Sequence, residues 1–134
     1  MKLKSTILLT PVLLLIVTSN LFGRILPAGP AINFEDSNYD FGVVKEGVEL
    51  EHVFKFTNDG DGTLVINSVQ PSCGCTGVVM DEKKEFEQGD LGEIKITFNT
   101  QGRQGVNSKT VTVNTNDPEN PVMTLTFKCD IDDK

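Results

Sequence analysis

The sequence predicts an all-β chain, and three observations carry that prediction. The composition favours strands: Thr, Val, Gly and Asn are plentiful, Ala occurs only at Ala28 and Ala31, and poor helix formers dominate. Apolar and polar residues alternate with a period of two in the longer segments, most cleanly from Glu93 to Asn99. Turn signals rich in Gly, Asn, Asp and Pro recur every 8–12 residues or so. Together these fit a β-sandwich of immunoglobulin-like type with about seven strands. The paired cysteines around a buried Trp that mark antibody domains are missing, because the chain has no Trp.

The elements follow in order. Ile32 to Glu35 and Tyr39 to Val44 read as short extended pieces, the second ended by Lys45-Glu46-Gly47. Val48 to Thr57 is the first long strand, with His52, Phe54 and Phe56 on one face and Glu51, Val53 and Lys55 on the other. Asn58-Asp59-Gly60-Asp61-Gly62 supplies hairpin-turn residues, and Thr63 to Val69 returns with Leu64 and Ile66 inward. After the turn Gln70 to Cys75, Thr76 to Met80 is extended, and the charged stretch Asp81 to Gln88 is expected to loop out. In the next strand Ile94, Ile96 and Phe98 alternate with Glu93, Lys95 and Thr97. Asn107 to Thr115 presents Val111 and Val113 to one side, and Asn116-Asp117-Pro118-Glu119-Asn120-Pro121 is a strong turn. Val122 to Ile131 closes the domain, with Met123, Leu125, Phe127, Cys129 and Ile131 on one face, and 132–134 reads as an acidic tail.

Residues 1–31 carry the pattern of a signal peptide or N-terminal membrane anchor. Lys2 and Lys4 form a basic start, Ile7 to Val17 is an apolar run of 11 residues, and Ala28 and Ala31 are small residues near a cut. Eleven helical residues reach roughly 16 Å against a hydrocarbon core of about 30 Å, which favours a cleaved signal; read from Thr6 to Phe22, the segment approaches a spanning length. No cysteine precedes Cys73, so lipid attachment behind the leader is not expected. On either reading the domain at 32–131 is exported to a compartment where disulfides persist. The formal charge is -7. Lys2, Lys4 and Arg24 precede Ala28 and no acid does, so the rest carries 9 basic against 19 acidic side chains, a net -10. Such a domain is repelled by phosphate backbones, which argues against nucleic acid as a partner. Contact with a membrane is expected only through an uncleaved N-terminal segment.

Two of the three cysteines stand one residue apart in Ser72-Cys73-Gly74-Cys75-Thr76. Such a pair can close as a small, reducible disulfide, or chelate a soft ion, above all Cu(I), which thiolates suit and two ligands satisfy. Two structural readings stand beside these: one thiol packed as a small apolar residue, or one of the pair bridged to Cys129. His52, the only histidine, joins the thiols as a metal ligand only if the fold brings its strand to the turn. No His-x-x-x-His or second Cys pair supports a zinc site. The Asn58–Gly62 stretch fails the EF-hand template: counting from Asp59, Leu64 stands at position 6 and Gln70 at position 12. The glycines at 60–62 and 102–105 precede no helix, so they are not phosphate loops.

Several of these segments resemble one family. Tyr39-Asp40-Phe41-Gly42, the run His52 to Gly60, Leu64-Val65-Ile66, Ser72-Cys73-Gly74-Cys75-Thr76 and Asn114-Thr115-Asn116-Asp117-Pro118 look like the bacterial domain-of-unknown-function family 1573. The resemblance covers about residues 33–131. That family is similar to the immunoglobulin-like domains of the sperm-protein, spindle-protein and Hydin group, which implies non-enzymatic binding modules. It is common in exported proteins, which implies the periplasm or outer envelope of a Gram-negative bacterium. It implies no known activity, substrate or catalytic residue, and no cofactor is expected unless the cysteine pair takes Cu(I). The expectation is an exported, non-enzymatic binding or structural module for a protein or glycan partner of the envelope. The alternative is a thiol-based redox or Cu(I)-handling protein using Cys73 and Cys75.

Overall fold

The computed structural model describes Gly23, residues 26–132 and Lys134. Of the leader pattern read at 1–31, residues 1–22, 24 and 25, and with them the whole apolar run, lie outside the described residues. Nine strands form two sheets, with no helix among the described residues: β1 Ile32–Phe34, β2 Asn38–Lys45, β3 Glu49–Asn58, β4 Leu64–Pro71, β5 Thr76–Met80, β6 Glu85–Phe86, β7 Leu91–Asn99, β8 Gly105–Thr115 and β9 Val122–Asp132. One sheet has the order β1-β3-β7-β5 and the other β2-β9-β8-β4-β6. This is the expected β-sandwich, and of its nine strands only the two-residue β6 falls where no extended segment was expected.

Alternation explains which residues meet between the sheets. Phe54 and Phe56 of β3 and Ile94, Ile96 and Phe98 of β7 point inward from the first sheet. Leu64, Ile66, Val111, Val113, Leu125, Phe127, Cys129 and Ile131 answer from the second. Each large apolar side chain so buried contributes roughly 1.5–3 kcal/mol relative to exposure. Aromatic pairs tie the layers together: Phe98 meets Phe127 with ring centroids 5.6 Å apart, and Phe56 meets Phe86 at 4.9 Å.

Connectivity departs from the sequence reading in two places. The Asn58–Gly62 stretch is not a hairpin turn, because β3 and β4 lie in different sheets; it is a corner that carries the chain across the core. The tight β-hairpin between long neighbours is β8–β9, around Asn116 to Pro121. The stretch Asp81 to Gln88 is not all loop either. Phe86 is buried and anchors β6 on β4 opposite Leu64, so one apolar residue in a charged run makes the difference. Strand β2 runs parallel to β9, with a register shift between Asp40 and Val43. There Gly42 adopts φ 71°, and its N–H donates to the Asp40 carboxylate at 2.8 Å. Asp132, expected in the tail, is the last residue of β9, opposite Lys45.

Candidate functional site

The Cys73-Gly74-Cys75 turn joins β4 of the five-stranded sheet to β5 of the four-stranded one. Before it, Ser72 is fastened to β8: its N–H donates to the Thr110 carbonyl at 2.9 Å, and its Oγ accepts the Thr110 N–H at 3.2 Å. Behind it, the Thr76 N–H returns to the Cys73 carbonyl at 3.3 Å, and Thr76 Oγ1 lies 3.6 Å from Cys73 Sγ. The two cysteines are bonded to each other, with Cα atoms 5.3 Å apart, inside the range a disulfide requires. Both are half-buried, Cys75 packs against the core and Gly74 is exposed.

The alternative bridge to Cys129 is not formed, and register explains why. Cys129 is buried on the inner face of β9 opposite Asn107, whereas the turn is held beside Thr110, three residues further along β8. Its thiol is free, and burial pushes its pKa up, helped by Asp130 and Asp40, with Lys109 opposing.

His52 is not brought to the turn. It sits opposite Ile96 on β7, and β5 lies beyond β7 with Val78 at that level. Two strand spacings and three residues of rise therefore separate it from Cys75, on the order of 14 Å between Cα atoms. Its imidazole instead stacks on Tyr39, centroids 3.6 Å apart and planes 13° from parallel, with Phe54 edge-on at 4.7 Å. Burial among these rings holds its pKa below 6.5, with Asp36 pulling the other way. Among the described residues no three His, Cys, Asp or Glu side chains cluster as metal ligands.

The polar residues that do most were missed by a search for chemistry. Asn58 is wholly buried. Its Oδ1 accepts the N–H groups of Ala31 and Gly60, each at 3.1 Å, and its Nδ2 donates to the carbonyls of Gly62 at 2.7 Å and Phe86 at 2.8 Å. The signal was present: Asn58 continues the inward series His52, Phe54, Phe56. Asp117 is also buried, and its carboxylate accepts the N–H groups of Ile32, Glu119 and Asn120. Burial would raise its pKa, but those hydrogen bonds outweigh it and the pKa lies below 3.8. Asp59 and Asp61 are likewise engaged, accepting from Asn33 Nδ2 and the Gly29 N–H. The segment Pro27–Ala31, expected to belong to the leader, is therefore strapped onto this corner, with the Asp59 N–H also reaching the Ala31 carbonyl at 2.9 Å.

Residues 32–131 match the family described as "Protein of unknown function (DUF1573)". The chain belongs to this family. No curated protein matches it. Among solved structures, it is similar to a protein of unknown function from Porphyromonas gingivalis W83, with 20% identity and a TM-score of 0.69 over 83% of this chain and 51% of that one. It thus spans about half the length of that relative. It is also similar to a PapD-like domain of human CEP192, with 11% identity and a TM-score of 0.58 over 99% of both chains. The Vibrio cholerae VesB protease shares 12% identity at a TM-score of 0.61, over 75% of this chain but 31% of the protease. Likenesses at such identity establish the immunoglobulin-like fold of this DUF1573 domain, and the fold alone.

Proposed function

We propose that this DUF1573 domain is an exported, non-enzymatic binding or structural module that engages a protein or glycan partner in the envelope of a Gram-negative bacterium. The observation that carries the reading is how its buried polar groups are used. Asn58, Thr100, Thr115 and Asp117 are all engaged in hydrogen bonds that hold the loops and strand ends. A site for chemistry keeps a reactive group poised for substrate; here these four buried polar groups serve the scaffold, the fifth, Thr76, lies 3.6 Å from Cys73 Sγ at the turn, and loops and sheet edges are what remains to meet a partner. Export rests on the N-terminal pattern Lys2, Lys4 and Ile7 to Val17. Photo-crosslinking in intact native cells, with the reactive residue scanned over loops and edges of the full chain, tests the reading. A discrete partner adduct in the envelope fraction is expected. A cytosolic chain, or no adduct from any position, overturns it.

A second reading is favoured by one observation, the Cys73–Cys75 bond at a half-exposed turn. As a redox pair it would take two electrons and two protons from a dithiol partner, leaving two thiols here and a disulfide on the partner. The reduced pair would suit Cu(I). Equilibration with glutathione and Cu(I) titration of the wild type and the Cys73→Ser/Cys75→Ser variant decide it. A potential far below the glutathione couple, together with no copper uptake, removes this reading.

A further inference from the structure

Four strands lie at sheet edges: β1 and β5 in one sheet, β2 and β6 in the other. An edge strand exposes a row of unpaired N–H and C=O groups, and folded chains blunt such rows by shortness, charge, proline or a bulge. Strands β1 and β6 have three and two residues. Strand β2 carries Asp40, Lys45 and the irregularity at Gly42. Strand β5 has none of these devices. Thr76-Gly77-Val78-Val79-Met80 is uncharged, contains no proline and pairs with β7 in unbroken register.

The outward side of β5 is unengaged. The Thr76 N–H turns back to Cys73 rather than to β7. Alternation then aims the N–H and C=O groups of Val78 and Met80 away from β7 as well. Among the described residues, Gly77 to Met80 make no hydrogen bond outside the ladder with β7. Val79 is 60% exposed on the outer face, level with Lys95.

Charge selects the occupant. The portion from Ala28 carries a net -10, which opposes a second copy and attracts a cation. Asp81 and Glu82 follow at the end of the strand; of the cations nearby, Lys83 is taken by Asp90 at 2.7 Å and Lys95, level with Val79, by Glu51 at 2.9 Å, which leaves the exposed Lys84 as the one opposing charge beside the two acids. We propose that the free edge of β5 accepts an extended basic segment of a partner protein as an added strand, its apolar residues alternating beside Val79 and its Lys or Arg placed opposite Asp81 and Glu82. Main-chain hydrogen bonds supply the attachment and alternate side chains the selectivity. The proposal rests on the reading of the domain as a binding module.

The test places a photo-crosslinking residue at Val79, at Val43 on the β2 edge or at Leu91 on the outer face of β7, in the full chain in its native host. An adduct from Val79 alone is expected, and its crosslinked peptide should be a basic segment of another protein. Val78→Pro removes an outward donor without touching the β7 ladder, so it should cut that adduct about tenfold. The melting temperature of the variant shows that it still folds, and Val79→Lys in a chain crosslinking from the exposed Gly74, where an added side chain meets nothing within 4 Å, provides a second block. A self-adduct, an acidic segment, or an adduct indifferent to both blocks overturns the proposal. Adducts only from Val43 or Leu91 overturn the choice of β5 and leave the module reading standing, whereas silence at all positions of the wider scan sinks both.

Discussion

The carboxylate of Asp117 accepts the backbone N–H of Ile32 at 2.9 Å, joining residues 85 apart in the chain. The other carboxylate oxygen accepts the N–H groups of Glu119 and Asn120 within the β8–β9 turn. One side chain thus shapes the hairpin and pins the first strand. Its hydrogen bonds hold its pKa below the ordinary 3.8 despite the opposing effect of burial. The folded state therefore favours the ionised form. That stability is fully present above the unfolded pKa and is lost as pH falls through the lower folded one. Asp117→Ala should cost about 3 kcal/mol at neutral pH, because three buried or half-buried donors lose their acceptor. In urea melts from pH 7 to pH 2, Asp117→Asn should start lower than the wild type and approach it in acid.

His52 should confer a second pH dependence, at higher pH. Its packing among Tyr39, Phe41 and Phe54 lowers its pKa from 6.5, chiefly by desolvation, against the pull of Asp36. Unfolded chains then bind the proton more readily, so stability is complete above 6.5 and falls as pH drops through the folded pKa. It is the only histidine, so no second imidazole titrates in the same range. Melting temperatures between about pH 7 and 5.5 should fall for the wild type and stay level for His52→Phe. His52→Ala should lose about 0.5–1.5 kcal/mol of ring packing.

The same substitution should be costly at one glycine and nearly neutral at another. A β-carbon on Gly92 would lie 2.7 Å from Cε1 and Cε2 of Phe56, and nearer still to Cζ, because that ring covers the glycine across the β3–β7 ladder. A β-carbon on Gly74 meets nothing within 4 Å, and its φ is not positive. Gly92→Ala should destabilise by about 1–3 kcal/mol or more, since the ring must leave its place in the core. Gly74→Ala should be within about 0.5 kcal/mol of the wild type. Parallel thermal melts compare the two.

Thiol counting checks the cysteine assignment. The oxidised chain should release a single reactive thiol, that of Cys129, and only on denaturation, because Cys129 is buried. Reduction should add the two thiols of Cys73 and Cys75. Since the closed loop is so short, Cys73→Ser/Cys75→Ser should cost at most about 1.5 kcal/mol. A mass-spectrometric link between Cys129 and either turn cysteine would contradict the assignment.

Much of the core was legible residue by residue. Phe54, Phe56, Ile94, Ile96, Phe98, Val111, Val113, Leu125, Phe127 and Ile131 are inward by alternation and buried in the structure. The exceptions are instructive. Phe86 sits among Glu85, Glu87 and two lysines, where no periodic pattern marks it, yet it is buried against Phe56. Asn58 has the composition of a turn residue and the environment of a core residue. The candidate site was half legible: spacing drew attention to Cys73 and Cys75, but sequence alone left three pairings open.

The sequence by itself determined the longer strands, their inward faces, the acidity of the portion from Ala28 and membership of the family, because each of these is written in local period, charge or motif. The partners of each strand were decided only by the tertiary structure. Asn58–Gly62 becomes a corner instead of a hairpin, β2 lies parallel to β9, and β7 stands between His52 and the Cys73–Cys75 turn. The physical reason is that alternation orients a side chain relative to its own strand. Which strands lie side by side depends on burying two apolar faces together and on satisfying buried groups such as Asn58 and Asp117 across the chain.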